Sequence, residues 1–490
     1  MLSKFMPCAV VCNVACIAGI FFEEPKGDFS MKKAWQIDRE MRVNAIPVDR
    51  RVQSSNWYEP GFEVPYGDAL IDLFWESKVP GSSAPEISYV SMVQAMGNKG
   101  YDVSEAEQYL EEGMRLHAQG KKDELRVITA KILNALKNAR YDLREQYHTF
   151  QHPDSWEDIQ KSMADVKNVA EEKEWKAGYV DQIYHAWIGQ LSGGSFGTCI
   201  EGYTGKHIAE VYGKIENYLT KPETTNDDVV YELVFLDAYE RMGRKITAEA
   251  IAMEWVKQVP FGWSAEWVAL RNLNMGVFPP DSGAWFNPYS EWIGAQMRGM
   301  VCGMVAPAQP MEAARLAYLD GIVSHAKNGV YGEIFAAVLT ALAFEMKDVH
   351  ALIETGMKFI PQKSQYYAIV TFALEQTKKG GDPAVIWQGI EEELQRYNWI
   401  HAYPNIAAVV FALWLGEGDF TKTLSLLAVA GMDVDCNGGL AGSVLGIMSG
   451  VPAQWSEPIG DLLETYIVGK EKLSIKELAQ RTARLAEQYR

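Results

Sequence analysis

Two carboxylates, Asp433 and Asp435, stand two residues apart in "GMDVDCNGGLAGSVLGIMSG", residues 431–450, directly before a run of small and apolar residues. Three kinds of chemistry fit acids in that setting. The plainest is helix capping, because carboxylates are stabilised at the positive end of a helix and Asp is a good N-cap. The second is a calcium loop. Asp433, Asp435, Asn437, Gly438 and Leu440 match positions 1, 3, 5, 6 and 8 of an EF-hand, but position 12, which should be a bidentate Glu, is Val444. The third is a hard-cation site, with two carboxylates at a loop-to-helix junction on a rigid support and a second element to complete the ligand set.

A second element of that kind exists. "TTNDDVVYELVFLDAYERMG", residues 224–243, places Asn226, Asp227 and Asp228 before a helix on which Val229, Leu233 and Leu236 recur at four and three. Thr225 to Asp228 also reads as a capping arrangement, worth ~1 kcal/mol of helix stability. Taken together, the two acidic pairs could hold two hard divalent cations about 3.5–4 Å apart, an arrangement that activates water.

These acids need a rigid platform, and the sequence offers one. Gly438, Gly442, Gly446 and Gly450 are spaced by four, so they line one face of a helix and let another backbone approach closely. The apolar run after the acids is too short for a membrane crossing, which takes about 20 residues. It reads as a tightly packed core helix.

Around these elements lies a 490-residue chain with 48% hydrophobic and 22% charged residues, a composition that buries a large core. Its formal net charge of −18 excludes a surface built to track nucleic-acid phosphates. Six scattered cysteines form neither a disulfide framework nor a zinc spacing, which predicts a reduced, cytoplasmic protein. The apolar segment at residues 1–30 contains Cys8, Cys12 and Cys16. It reads as a signal for export or as a stretch preceding a true start at Met31, and not as a stable membrane span. Residues 31–178 form an N-terminal accessory region, rich in Pro, Gly and aromatics at first and then helical. From 179 to 490, helix-length apolar segments separated by Gly, Pro and Asn predict an all-α domain.

Within residues 179–490 the motifs fall in an order that resembles the ADP-ribosylglycohydrolase family. "GGSFGTCIEG" supplies Gly193, Gly197 and Glu201 of an opening G-x-x-x-G-x-x-x-E, and Asn226, Asp227 and Asp228 stand where the family has T-D-D. "GAQMR" gives Gly294, Ala295, Met297 and Arg298, and Ser324 with His325 matches an [ST]-H pair. The closing G-x-D-T-D-[TC]-N segment is Gly431, Asp433, Val434, Asp435, Cys436 and Asn437, running on to Gly442. The chain departs from the pattern at Asn226 and Cys436, each in place of Thr, at Gly194 in place of Asp, and at Ile293 in place of Asn.

The resemblance implies two Mg²⁺ ions, with Mn²⁺ as the alternative, on Asp227, Asp228, Asp433 and Asp435, with Asn226 contributing through its amide oxygen. It implies Glu201 and Asp435 as catalytic groups in the hydrolysis of a glycosidic bond. His325, Asn328, Gly329, Tyr331, Arg298, Gly431 and Asn437 are the substrate-binding residues it suggests. The expected substrate is an ADP-ribosylated protein or a ribosylated small molecule. Another metal-dependent glycoside or nucleoside hydrolase, or a non-catalytic ADP-ribose binder, remains the alternative on the same fold.

Overall fold

Two helices with glycines every fourth residue form the spine of the structure, a computed structural model that describes residues 31–52, 68–169, 171, 172 and 174–490. The first runs over Tyr179–Gly197 and carries Gly189, Gly193 and Gly197; the second runs over Val434–Ser449 and carries Gly438, Gly442 and Gly446. A Cβ built on Gly193 would lie 1.9 Å from the Gly438 carbonyl oxygen, and one on Gly442 would lie 2.2 Å from that of Gly189. Backbone therefore meets backbone along the whole seam. Glycine is required there by close approach, since no side chain fits between the two helices. Most side chains on both helices are buried, so the seam lies in the core.

The fold is all-α, as expected. Among the described residues the only regular strands are two short antiparallel hairpins, Ser77–Lys78 with Pro85–Glu86 and Leu463–Glu464 with Lys472–Leu473. No helix of the described residues is long and apolar enough to cross a membrane. The expectation for residues 1–30 falls outside the described residues.

Residues Lys33–Arg490 form one compact unit. The accessory region has a core of its own, with Ile37, Trp75, Val93, Leu110 and Ile132, but that core also takes in Ala265, Val268, Tyr289 and Trp292 from far along the chain. Buried polar groups tie the two parts together. Asp38 accepts from Asn398 Nδ2 at 2.8 Å, and Gln94 Nε2 donates to the Arg396 carbonyl at 3.1 Å. Buried polar groups persist only when paired, so these bonds hold the accessory region against the 396–401 loop.

Candidate active site

The acids are brought together by backbone pairing rather than by side-chain attraction. Gly202 N donates to the Met432 carbonyl at 2.8 Å, Met432 N donates to the Tyr203 carbonyl at 3.3 Å, and Thr204 bridges Gly431. Glu201 precedes one of the bridged segments and Asp433 follows the other, so the bridge sets them side by side. It requires left-handed backbone at Gly431 (φ 69°) and also at Met432 (φ 72°), where a side chain makes that conformation costly. Strained residues of this kind persist where the surrounding structure over-determines them. A Cβ on Gly431 would in addition stand 2.3 Å from the Tyr203 oxygen, so Gly431 serves the bridge.

Asp433 occupies the N-cap of the Val434–Ser449 helix, yet its side chain makes no capping hydrogen bond. The helix start is held instead by Asn405, whose Oδ1 accepts from Asp433 N at 3.0 Å and from Asn437 Nδ2 at 2.8 Å. Asn405 Nδ2 in turn donates to the Trp399 and His401 carbonyls. The Asp433 carboxylate turns instead to Asp435 and Cys436 beside it. The contrast with Asn226 is instructive, because Asn226 does cap its helix, Asp227–Met242, by accepting from Asp228 N at 2.7 Å.

Glu201, Asp227, Asp433, Asp435 and Cys436 line one wall of a cavity of about 150 Å³. Oxygens or sulfur of Asp433, Asp435 and Cys436 lie within 4.8 Å of one another. Burial and mutual repulsion raise every carboxyl here. Asp227 is pushed up to about 7 by burial and then by Asp435, and Asp433 to about 6, chiefly by burial. Glu201 and Asp435 are pushed well above the usual range, Glu201 by burial and then by Asp435, Asp433 and Asp227, and Asp435 by burial and then by Asp433. Glu201 Oε2 and Asp435 Oδ1 are buried without a hydrogen-bond partner among the described residues.

Such a set of crowded, partly orphaned carboxylates fits a hard divalent cation, which satisfies oxygen ligands and removes their repulsion. The Cys436 thiol, kept protonated by burial and by Asp228, donates to Asp228 Oδ1 at 3.5 Å. It therefore behaves as a donor to the acid pair rather than as a thiolate. Asn226 and Asp228 lie one layer back, on a second, water-sized cavity with Gly194.

The remaining predicted residues stand elsewhere, because each is committed to an internal partner. Arg298 is fully buried; its Nε donates to Asp320 Oδ2 at 2.5 Å, Nη1 to Glu266 Oε1 at 3.2 Å, and Nη2 to Ser324 Oγ at 2.9 Å. His325 receives the other side of Ser324 at Nδ1, 2.7 Å away, and is kept neutral by burial and by Arg298. Asn328 Nδ2 donates to Glu291 Oε2 and meets His152 Nδ1, each at 3.1 Å, and the Tyr331 hydroxyl donates to the Pro153 carbonyl at 2.6 Å. Gly329 makes room for the Ser290 carbonyl, and Asn437 is held by Asn405. The 325–331 segment thereby anchors residues 152 and 153 instead of lining the cavity.

Sequence reasoning missed most of this cavity. Glu266 lines it and is held by Arg298 from behind, while Gly294 leaves the space its carboxylate fills, since a Cβ there would come within 1.9 Å of Oε1. Met297 of the same motif lines the cavity and sits 3.8 Å from Cys436 Sγ. The rest of the lining includes Leu70, Phe74 and Glu86 from the accessory region, and Trp263, Trp267 and Trp292, an aromatic wall. No spacing in the sequence marks these residues, although the aromatic density of the 57–75 stretch was a usable hint.

Residues 175–490 match the ADP-ribosylglycohydrolase family, and the chain belongs to it. A solved structure described as an ADP-ribosylglycohydrolase-related protein complex is similar at a TM-score of 0.44 and 17% identity, covering 64% of this chain and 99% of that one. Among curated proteins none matches this chain. Family membership supports a glycohydrolase acting on ribosylated substrates.

Proposed function

We propose that the protein is a divalent-cation-dependent hydrolase that cleaves the glycosidic bond between a ribose and its substituent, as in an ADP-ribosylated protein or a related ribosylated molecule. The observation that carries this reading is the meeting of Glu201, Asp227, Asp433 and Asp435 on one cavity wall, with two of their buried oxygens unpartnered among the described residues. Asp227, Asp433 and Asp435 would hold the cations, Mg²⁺ or Mn²⁺, with Asp228 and Asn226 supporting from behind. When bound, such cations supply Lewis acidity toward hydroxyl groups and water.

The chain's own groups do the rest. Cleavage at an anomeric carbon passes through an oxocarbenium-like state, which adjacent carboxylates stabilise. Asp435, with one free oxygen, faces the same space as Glu201 and serves that electrostatic role. Glu201 holds a proton at Oε2 and passes it to the departing atom as the C–X bond breaks, and a water oxygen takes the vacated position on carbon. The water's surplus proton returns to the carboxylate, which restores the starting state. The aromatic wall limits bulk water, which strengthens each electrostatic contact.

The test is hydrolysis of ribosylated substrates by the full chain in Mg²⁺, in Mn²⁺ and in chelator. Activity is expected with either cation and none in chelator. Full turnover in chelator would overturn the proposal.

A further inference from the structure

Arg298, Ser324 and His325 do not line the cavity, yet they are assembled around a carboxylate that does, that of Glu266. The Arg298 guanidinium is held by Asp320 and lies over the rings of Trp255 and Tyr231, 4.9 and 5.4 Å from their centroids. Its Nη1 donates both to Glu266 Oε1 at 3.2 Å and to the Gly294 carbonyl at 2.8 Å, so one nitrogen fixes the carboxylate and the backbone beside it. Gly294 leaves the room this needs, since a Cβ there would come within 1.9 Å of Oε1.

His325 adds a second support. Ser324 Oγ accepts from Arg298 Nη2 and is left to donate to His325 Nδ1, which assigns the ring proton to Nε2. That N–H is buried, has no hydrogen-bond partner among the described residues, and lies 3.9 Å from Glu266 Oε1. The separation is too long for a hydrogen bond, but the buried N–H adds positive potential beside the carboxylate. Burial raises Glu266 to about 7 against the pull of Arg298. Above that value it is a buried anion held in one place on the cavity lining.

An ionised carboxylate only accepts hydrogen bonds, so what Glu266 holds in the cavity is a donor. It is close enough to Asp227 to feel its charge, and Glu201, Asp433 and Asp435 line the same cavity. With an anomeric carbon placed at those acids, the donors next to it are the hydroxyls of the same ribose. Carboxylates recognise ribose hydroxyls in this way in dinucleotide sites.

We infer that Glu266 is a substrate-binding residue, accepting a hydrogen bond from the hydroxyl on the second or third carbon of the ribose that carries the scissile bond. The inference rests on the hydrolase reading above and adds a residue to it. Glu266 selects the hydroxylated sugar over its deoxy counterpart.

The experiment is a cycle of enzyme variant against substrate hydroxyl, on the full chain with Mg²⁺ at a pH of about 8, where Glu266 is ionised. ADP-ribosyl-arginine is compared with its analogues lacking either of those hydroxyls, and calorimetry follows ADP-ribose and its matching deoxy analogues. Glu266→Gln keeps an oxygen for Arg298 and removes the charge. We expect it to lower kcat/KM for the full substrate by about 10- to 100-fold, the range of one hydrogen bond to a charged group. For one of the deoxy analogues it should stay within about 2-fold of the parent, and any effect of the missing hydroxyl on the chemistry itself cancels in the cycle. Gly294→Ala retains the charge while displacing the carboxylate, and should give the same pattern. Where circular dichroism shows that Glu266→Gln does not fold, this variant decides. Equal losses on every substrate, or no loss on any, overturn the inference and leave the hydrolase reading intact. Where ADP-ribosyl-arginine is not turned over, the same cycle in dissociation constants decides the inference. A discrimination between ADP-ribose and a deoxy analogue that Glu266→Gln abolishes supports it, and its absence or its persistence in the variant overturns it. The hydrolase reading fails separately, if no ribosylated substrate is turned over.

Discussion

The two walls of the cavity are built on different physical terms. The acid wall stands on the glycine seam and the Gly202–Met432 bridge, where backbone meets backbone and positions admit almost no adjustment. The aromatic wall stands on side-chain packing, with the Phe74 ring centroid 4.9 Å from that of Trp267 and 5.3 Å from that of Tyr89. Packing of that kind tolerates substitution of similar volume, whereas backbone seams do not. The fixed charge positions therefore belong to the unyielding wall, and the wall that can vary is the aromatic one.

That contrast can be broken most severely at Asp435. Asp435→Ala should lower kcat/KM by at least about 1,000-fold, a loss of the size expected when metal-dependent chemistry is removed. Far-ultraviolet circular dichroism should show the helical content unchanged. Residual activity near that of the parent would mean the acid wall does not perform the reaction.

Behind both walls, Arg298→Ala should cost about 3–5 kcal/mol in urea unfolding, because it leaves Asp320 and Glu266 buried without their counter-charge. A smaller loss would show that the guanidinium is not what keeps these two carboxylates buried. Along the seam, Gly193→Ala should destabilise by about 1–3 kcal/mol, the cost of overpacking a close contact, and should reduce activity as the two helices part. The matched control is Gly389→Ala on the exposed side of a helix. With nothing within 4 Å of the new methyl group, it should be neutral or stabilising by about 0.5–1 kcal/mol.

The mildest probe is pH. His401 is fully buried behind the Trp399–Ile400 edge of the cavity, and burial, with Lys99 adding repulsion, lowers it to about 3. Its neutral form is favoured in the fold, so the unfolded chain takes up a proton first as pH falls. Its contribution is complete above the ordinary value of about 6.5 and is lost as pH drops toward 3, by up to about 1.4 kcal/mol per pH unit. His401→Asn keeps a capping acceptor for Tyr403 N while removing the titration. The variant should flatten the decline in the urea midpoint between pH 6.5 and 5, and an unchanged slope would exclude His401 as its source.

The acidic pairs, the four-residue glycine period and the all-α pattern were all legible in the chain, because each is local and depends on side chains only a few positions apart. So was the order of motifs that identifies the family. The partner of the 438–446 glycines was not read from the chain, although Gly189, Gly193 and Gly197 repeat the same period. A period shows that a face is smooth without showing what it meets. Arg298, Asn328 and Tyr331 were read as substrate contacts and are found holding Glu266, His152 and Pro153, because a polar side chain's partners are set by what folds against it.

The sequence by itself determined which residues can do chemistry here, since a carboxylate's capacity to hold a cation or a proton belongs to its type. It also determined the helices that carry them, since local period and capping suffice for that. Only the tertiary structure decided that Glu201 and Asp433 come together and that Phe74 and Glu86 line the same cavity. Contacts between residues hundreds of positions apart are selected by the packing of the whole chain, and no local spacing encodes them.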